Sequence, residues 1–188
     1  MSWFVKSLKM LGVTTPLTAP LVQLASDCEN DQMKNDIDKL LDPITNLHPD
    51  IKSLSEELYK QLMEVDEKML LMNDDFFHRY LRPLSLLEAQ GAIKFRKNVN
   101  KSVPQGLFLI DPGFVLYLCR LFADAKAMQA LFNKIESCKK GDWLYRNKLK
   151  EDTGLPSVVI EQVFSLYEAK GYGLLSGPVG QVRYMSKT

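Results

Sequence analysis

The feature that most constrains this chain is a seven-residue motif that occurs twice, 80 residues apart. Ser85-Leu86-Leu87-Glu88-Ala89-Gln90-Gly91 matches Ser165-Leu166-Tyr167-Glu168-Ala169-Lys170-Gly171 at five of seven positions. Each copy reads as the end of an amphipathic helix closed by glycine, the residue that takes the left-handed conformation after a last turn without steric cost. Each copy is followed by a hairpin signal. After Gly91, Ile93, Phe95 and Val99 alternate with Lys94, Arg96 and Asn98, a looser stretch contains Asn100, Ser102, Pro104 and Gly106, and Leu107–Ile110 forms a second apolar run. After Gly171, Leu174 and Leu175 are separated from Val182, Tyr184 and Met185 by Gly177-Pro178-Val179-Gly180. Period-two alternation on both sides of a Gly/Pro turn is the mark of a β-hairpin. At the same offset Glu56, Lys60 and Lys68 align with Glu136, Lys140 and Lys148. The implied architecture is two copies of a helical unit closed by a hairpin.

Helices fill most of the remaining chain. Ser2–Leu11 reads as a short amphipathic helix, followed by a Pro/Thr-rich segment. Met33, Ile37, Leu40, Leu41 and Ile44 have helical spacing, interrupted by Pro43. Over Ser53–Met72, Leu54, Leu58, Leu62, Val65, Met69 and Met72 recur at three and four residues, with Ser53 and Glu56 in capping-box spacing. Asn73-Asp74-Asp75 opens a further helix, within which Pro83 marks a kink or the start of a second helix. Asp111-Pro112 starts an apolar helix that runs, in one or two segments, to Cys138. Asp142 caps a helix over WLYRNKLKEDT that stops at Gly154, and Pro156 opens Ser157–Lys170.

The order in the C-terminal portion, two helices, a Gly/Pro turn, a helix, a glycine and a hairpin, resembles the winged-helix superfamily. The matching segments are Ala125–Cys138, Asp142–Thr153, Gly154-Leu155-Pro156, Ser157–Lys170 and Tyr172–Lys187. Leu144, Leu149, Leu155, Val159, Val163 and Leu166 would form the apolar seam of its helix-turn-helix. With the repeat, the expected fold is mainly α with small β-hairpins. Tandem winged-helix-like units would be preceded by an N-terminal helical segment, with divisions at residues 1–50, 51–110 and 111–188.

Composition excludes several functions. Only two histidines occur, His48 and His78, and Cys28, Cys119 and Cys138 are far apart with no ligand spacing. No metal site, cofactor or catalytic role is expected, and unpaired cysteines fit a cytoplasmic protein. No run of about 18 apolar residues is present, so no membrane span is expected. Gly171, Gly173, Gly177 and Gly180 serve turns rather than a phosphate cradle.

Charge is divided unevenly. Residues 1–91 hold 9 Lys/Arg and 15 Asp/Glu, a net of −6, and residues 92–188 hold 15 and 8, a net of +7. Such a split marks either a nucleic-acid face or two halves that attract each other. Lys94, Arg96, Lys97 and Lys101 fall in the first hairpin with no acidic residue from Ala92 to Ile110. A basic wing of this kind neutralises phosphates, and its alternative role is to protect a strand edge. Arg79 and Arg82 belong to the helical part of the same unit. The nucleic-acid-binding residues expected are therefore Arg79, Arg82, Lys94, Arg96, Lys97 and Lys101, with DNA the expected partner. A further basic group, Lys139, Lys140, Arg146, Lys148 and Lys150, surrounds the second helix of the C-terminal unit, with Arg183 and Lys187 in its wing. On Ser157–Lys170 the outward residues expected are Ser157, Glu161, Gln162, Ser165 and Glu168, a poor face for base edges. The other function in view is a protein-interaction module, docking through Tyr145, Tyr167, Tyr172 and Tyr184.

Overall fold

A computed structural model describes residues 3–11, 16, 19, 23, 47–97, 102–177 and 183–187. Its elements are α1 (Trp3–Met10), α2 (Ile51–Val65), β1 (Met69–Leu71), α3 (Asp74–Arg79), α4 (Leu81–Ala89), β2 (Ile93–Arg96) and β3 (Gly106–Leu109). Then follow α5 (Pro112–Phe122), α6 (Ala125–Glu136), β4 (Trp143–Tyr145), α7 (Arg146–Thr153), α8 (Ser157–Ala169), β5 (Gly173–Ser176) and β6 (Arg183–Ser186). The chain is mainly helical, with two separate three-stranded antiparallel sheets ordered β1-β3-β2 and β4-β6-β5. The helix expected over residues 33–44 lies outside the described residues.

The same series of elements therefore occurs twice: helix, short strand, two helices, hairpin. In each sheet the last strand of the hairpin sits in the middle and pairs with the short strand on its other side. The motif that revealed the repeat has a local structural purpose in both copies. Ser85 Oγ donates to Leu81 O (2.8 Å) and Ser165 Oγ to Glu161 O (2.9 Å). Gly91 and Gly171 have φ of 74° and 76°. Glu88 Oε1 accepts the backbone N–H of Phe95 (3.1 Å), and Glu168 Oε1 accepts that of Leu175 (2.8 Å). The glutamate thus satisfies a strand N–H that would otherwise lack a partner, and ties helix to hairpin.

Away from the motif the offset changes. β1 and β4 are 74 residues apart and β3 and β6 are 77 apart. The identities at Glu56/Glu136, Lys60/Lys140 and Lys68/Lys148 are consequently not equivalences: Glu56 and Lys60 lie in α2, whereas Lys140 follows α6 and Lys148 belongs to α7.

Both short strands replace helix in the sequence expectation. The helix expected to Met72 stops at Val65, where Asp66 takes a left-handed φ of 57° and its N–H returns to Leu62 O. Met69–Leu71 then pairs with β3. The helix expected from Asp142 begins only at Arg146, because Trp143–Tyr145 pairs with β6. The capping box at Ser53 and Glu56 does not form. Asp50 occupies the N-cap, Ser53 Oγ meets Tyr80 Oη (2.9 Å), and Glu56 pairs with Lys60 (2.7 Å). Pro83 does not kink one helix but falls at the start of a second, though not as its first residue. It is the third residue of α4, in the first turn, where a missing N–H breaks no intrahelical bond.

Asn73 and Asp111 cap α3 and α5 as their sequence contexts imply, accepting from Phe76 N and Gly113 N. The apolar stretch from Pro112 does divide into two helices, the second capped by Asp124.

Helix α5 joins the two units. Every residue from Gly113 to Cys119 is buried. The helix packs against α2 of the first unit and α8 of the second, with Tyr59 and Phe122 in ring contact at 5.8 Å. Helix α1 lies on α5, α6 and α8. There Trp3 stacks on Phe132, with ring centroids 6.1 Å apart, and Lys6 pairs with Glu136. The buried side chains of both units form one continuous cluster.

Candidate nucleic-acid interface

The first unit presents its basic residues on two surfaces. Helix α3 begins with Asp74 and Asp75 and ends with His78 and Arg79, so its charges complement the helix dipole at both ends. His78 and Arg79 are exposed. In α4, Pro83, Leu84 and Leu87 are buried, leaving Leu81, Arg82, Ser85 and Ala89 as the exposed stripe. Glu88 is adjacent to that stripe, but its carboxylate is turned to Phe95 N.

Strand β2 has the expected alternation. Ile93 is buried and Phe95 faces inward, where its ring meets Phe77 of α3 edge-on at 5.8 Å. Lys94 and Arg96 point to the opposite, outer face, and Arg96 Nη1 lies 3.0 Å from Met69 Sδ. Lys97 is exposed where the strand ends. Lys101 lies outside the described residues. Arg79 and Arg82 thus belong to the helical layer, and Lys94 and Arg96 to the outer side of the sheet. The Phe77–Phe95 contact ties the two layers together. Arg79, Arg82, Lys94 and Lys97 form no ion pair among the described residues.

In the second unit the corresponding helix is occupied. Ser157 and Gln162, expected to face outward on α8, are buried. Glu161 binds Arg146 (2.6 Å), and Glu168 holds Leu175 N. The N-terminus of α8 is covered by Asp66 of the first unit. Asp66 Oδ1 accepts from Ser157 N, while Oδ2 accepts from Ser157 Oγ (2.7 Å) and Lys150 Nζ (2.5 Å). A carboxylate is well placed at a helix N-terminus, where unpaired N–H groups and the dipole favour negative charge. Partial burial raises the Asp66 pKa, but the bonds from Lys150 and Ser157 outweigh it and hold the carboxyl below its ordinary value. Helices α1 and α5 also pack on α8. Periodicity could not reveal this second buried side, since it reports the core face of the unit and not what docks on the helix from elsewhere.

Part of the second basic group is likewise used internally. Arg146 and Lys150 are engaged as above, and Lys134 pairs with Asp152. Lys139, Lys140 and Lys148 remain exposed. Arg183 places its guanidinium 4.2 Å from the centre of the Trp143 ring. Of the four tyrosines considered for docking, Tyr167 and Tyr184 are core residues, and Tyr145 and Tyr172 are exposed.

Burial pushes the Cys119 thiol up to about 12, which leaves it un-ionised and unreactive at neutral pH. Among the described residues no three His, Cys, Asp or Glu side chains cluster as metal ligands, and no helix is long and apolar enough to cross a membrane. No family model, curated protein or solved structure matches this chain.

Proposed function

We propose that the chain is a tandem of two winged-helix units, the first of which grips duplex DNA while the second braces it, as in a DNA-binding regulator. The repeated order of short strand, two helices and hairpin supports the fold reading. The observation that carries the functional reading is the difference between the two equivalent helices. The exposed stripe of α4 is small and free of acidic side chains, with Arg82 and Ser85 available to a groove. Arg79 at the end of α3 and Lys97 at the end of β2 are exposed, as are Lys94 and Arg96 on the outer face of the sheet. Helix α8 has Asp66 over its N-terminus and helices against its sides. In this mechanism the cations neutralise phosphates and set register, Arg82 supplies limited base readout, and the wing adds backbone contacts.

The test is binding to a labelled random-sequence duplex across a salt series. Binding should weaken steeply with salt. Changing Lys94, Arg96 and Lys97 together to Ala should weaken it about tenfold and flatten the salt slope by about 2 to 3. Absence of binding at about 50 mM salt by the folded protein would sink the reading.

A second reading has its own observation in its favour. The outer face of the first sheet and the residue after it expose Leu71 (61%), Phe108 (36%) and Ile110 (49%). Neighbouring apolar residues at such exposure suit a protein-docking surface. A chain that binds no duplex and is captured through this face, with loss of capture in Leu71→Asp, would be an interaction module.

A further inference from the structure

The second sheet combines aromatic and cationic groups that the duplex reading leaves unused. β4 is an edge strand, and alternation turns Trp143 and Tyr145 to the same side while Leu144 packs on the core. Two residues along a strand separate their Cα atoms by about 6.6 Å. Tyr145 is 50% exposed. Trp143 is half-buried, and the Arg183 guanidinium lies over its ring, 4.2 Å from the centre, so that a cationic plane covers one face of the indole.

A cleft of about 700 Å³ runs beside this strand, between the end of α6 and α7, and takes in Trp143, Tyr145, Lys139 and Lys148. Its two carboxylates are Asp142 and Asp152, and Asp152 is neutralised by Lys134. Lys140 lies next to Lys139 on the turn leading to β4. Neighbouring rings turned to one side of a strand, with ammonium groups along a groove at their edge, match the chemistry of an unpaired nucleic-acid strand. Bases stack on rings or on guanidinium planes, and the backbone follows the cations without regard to sequence. A duplex cannot use such a surface, because its bases are already stacked on one another.

We propose that the Trp143–Tyr145 strand and its adjoining groove bind single-stranded nucleic acid, with bases on Tyr145 and on the Trp143–Arg183 pair and phosphates on Lys139 and Lys148. This site is on the second unit and does not depend on duplex binding by the first.

The chain contains its own reporter. Its two tryptophans are Trp3 and Trp143, and Trp3 is 6% exposed and stacked on Phe132. Tryptophan emission is therefore followed while a short oligo(dT), about eight nucleotides long to match one compact site, is added at low salt. Saturable quenching is expected, weakening as salt rises. Tyr145→Ala should reduce affinity about tenfold, within the range found for loss of one base-stacking ring. Lys139→Ala with Lys148→Ala should reduce both affinity and salt dependence. Lys94→Ala with Lys97→Ala, in the first wing, should leave oligo(dT) binding unchanged. Absence of quenching overturns the proposal, as does affinity that is undiminished in Tyr145→Ala or is lost through the first-wing changes. Quenching by oligo(dT) without any duplex binding would support this site and reject the first unit's role.

Discussion

Gly173→Ala is expected to destabilise the protein by about 3 kcal/mol, the upper part of the range for overpacking a filled core. A Cβ at this position would lie 2.1 Å from Tyr184 Cζ and 2.3 Å from its oxygen. The ring has nowhere to retreat: Tyr184 is 1% exposed, stacks on Phe164 at 5.2 Å and meets Tyr167 edge-on at 6.1 Å. In a chain of this size the loss should lower the melting temperature by about 6–12 °C. Thermal melts of Gly173→Ala, of Tyr184→Leu and of the double variant check the cause. If the ring is the obstacle, alanine at 173 costs at least about 1 kcal/mol less in the Tyr184→Leu background than in the wild type. Equal costs in both backgrounds would place the strain in the backbone. The first unit makes the comparison natural, because Ile93 holds the same place in β2 and is itself buried. There the side chain fills the space from the strand, and in the second unit Tyr184 fills it from across the sheet.

The second large effect is expected from Asp66→Ala. The substitution removes the acceptor for Ser157 N, Ser157 Oγ and Lys150 Nζ together. Loss of a helix cap costs about 0.5–2 kcal/mol, and the partly solvated ion pair adds little. A loss of about 2 kcal/mol follows, or about 4–8 °C in melting temperature. Its pH dependence has a definite sign. The folded-state pKa of Asp66 lies below its value in the unfolded chain, so the carboxylate stabilises the fold above about pH 4. That contribution is lost as pH falls through the folded pKa. The gap between wild type and Asp66→Ala should therefore be constant from about pH 5 to 7 and close in acid. A gap that widens in acid would mean that the lowered pKa does not belong to the folded state.

Asp66 also shows where sequence reading stopped. The glycines at 91, 154 and 171 and the caps at Asn73 and Asp111 were legible, because each acts within a few residues of itself. The seven-residue motif was legible for the same reason: its serine, glutamate and glycine all serve one helix end and the strand after it. The three-residue strands were not. Met69-Leu70-Leu71 and Trp143-Leu144-Tyr145 continue or begin apolar patterns that suit a helix, and partners about 40 residues further on make them strands. The bond between Asp66 and Ser157 spans 91 residues, and nothing near either one announces it. In the candidate interface, the exposure of Arg79, Arg82, Lys94, Arg96 and Lys97 followed from local pattern. Their division between two layers followed only from which side of β2 met Phe77.

Helix α5 gives the two units a common fate. Because its buried residues complete the interior of both, neither half has a finished core without it. Melting should proceed as one transition where two self-sufficient domains would give two. A protease nicking the chain near Asp111 would leave the first half without α5, and so without a finished core. For a protein assembled from two copies of one plan, that is a form of lock-in: once both interiors lean on the same helix, neither copy can be discarded, transplanted or allowed to decay by itself.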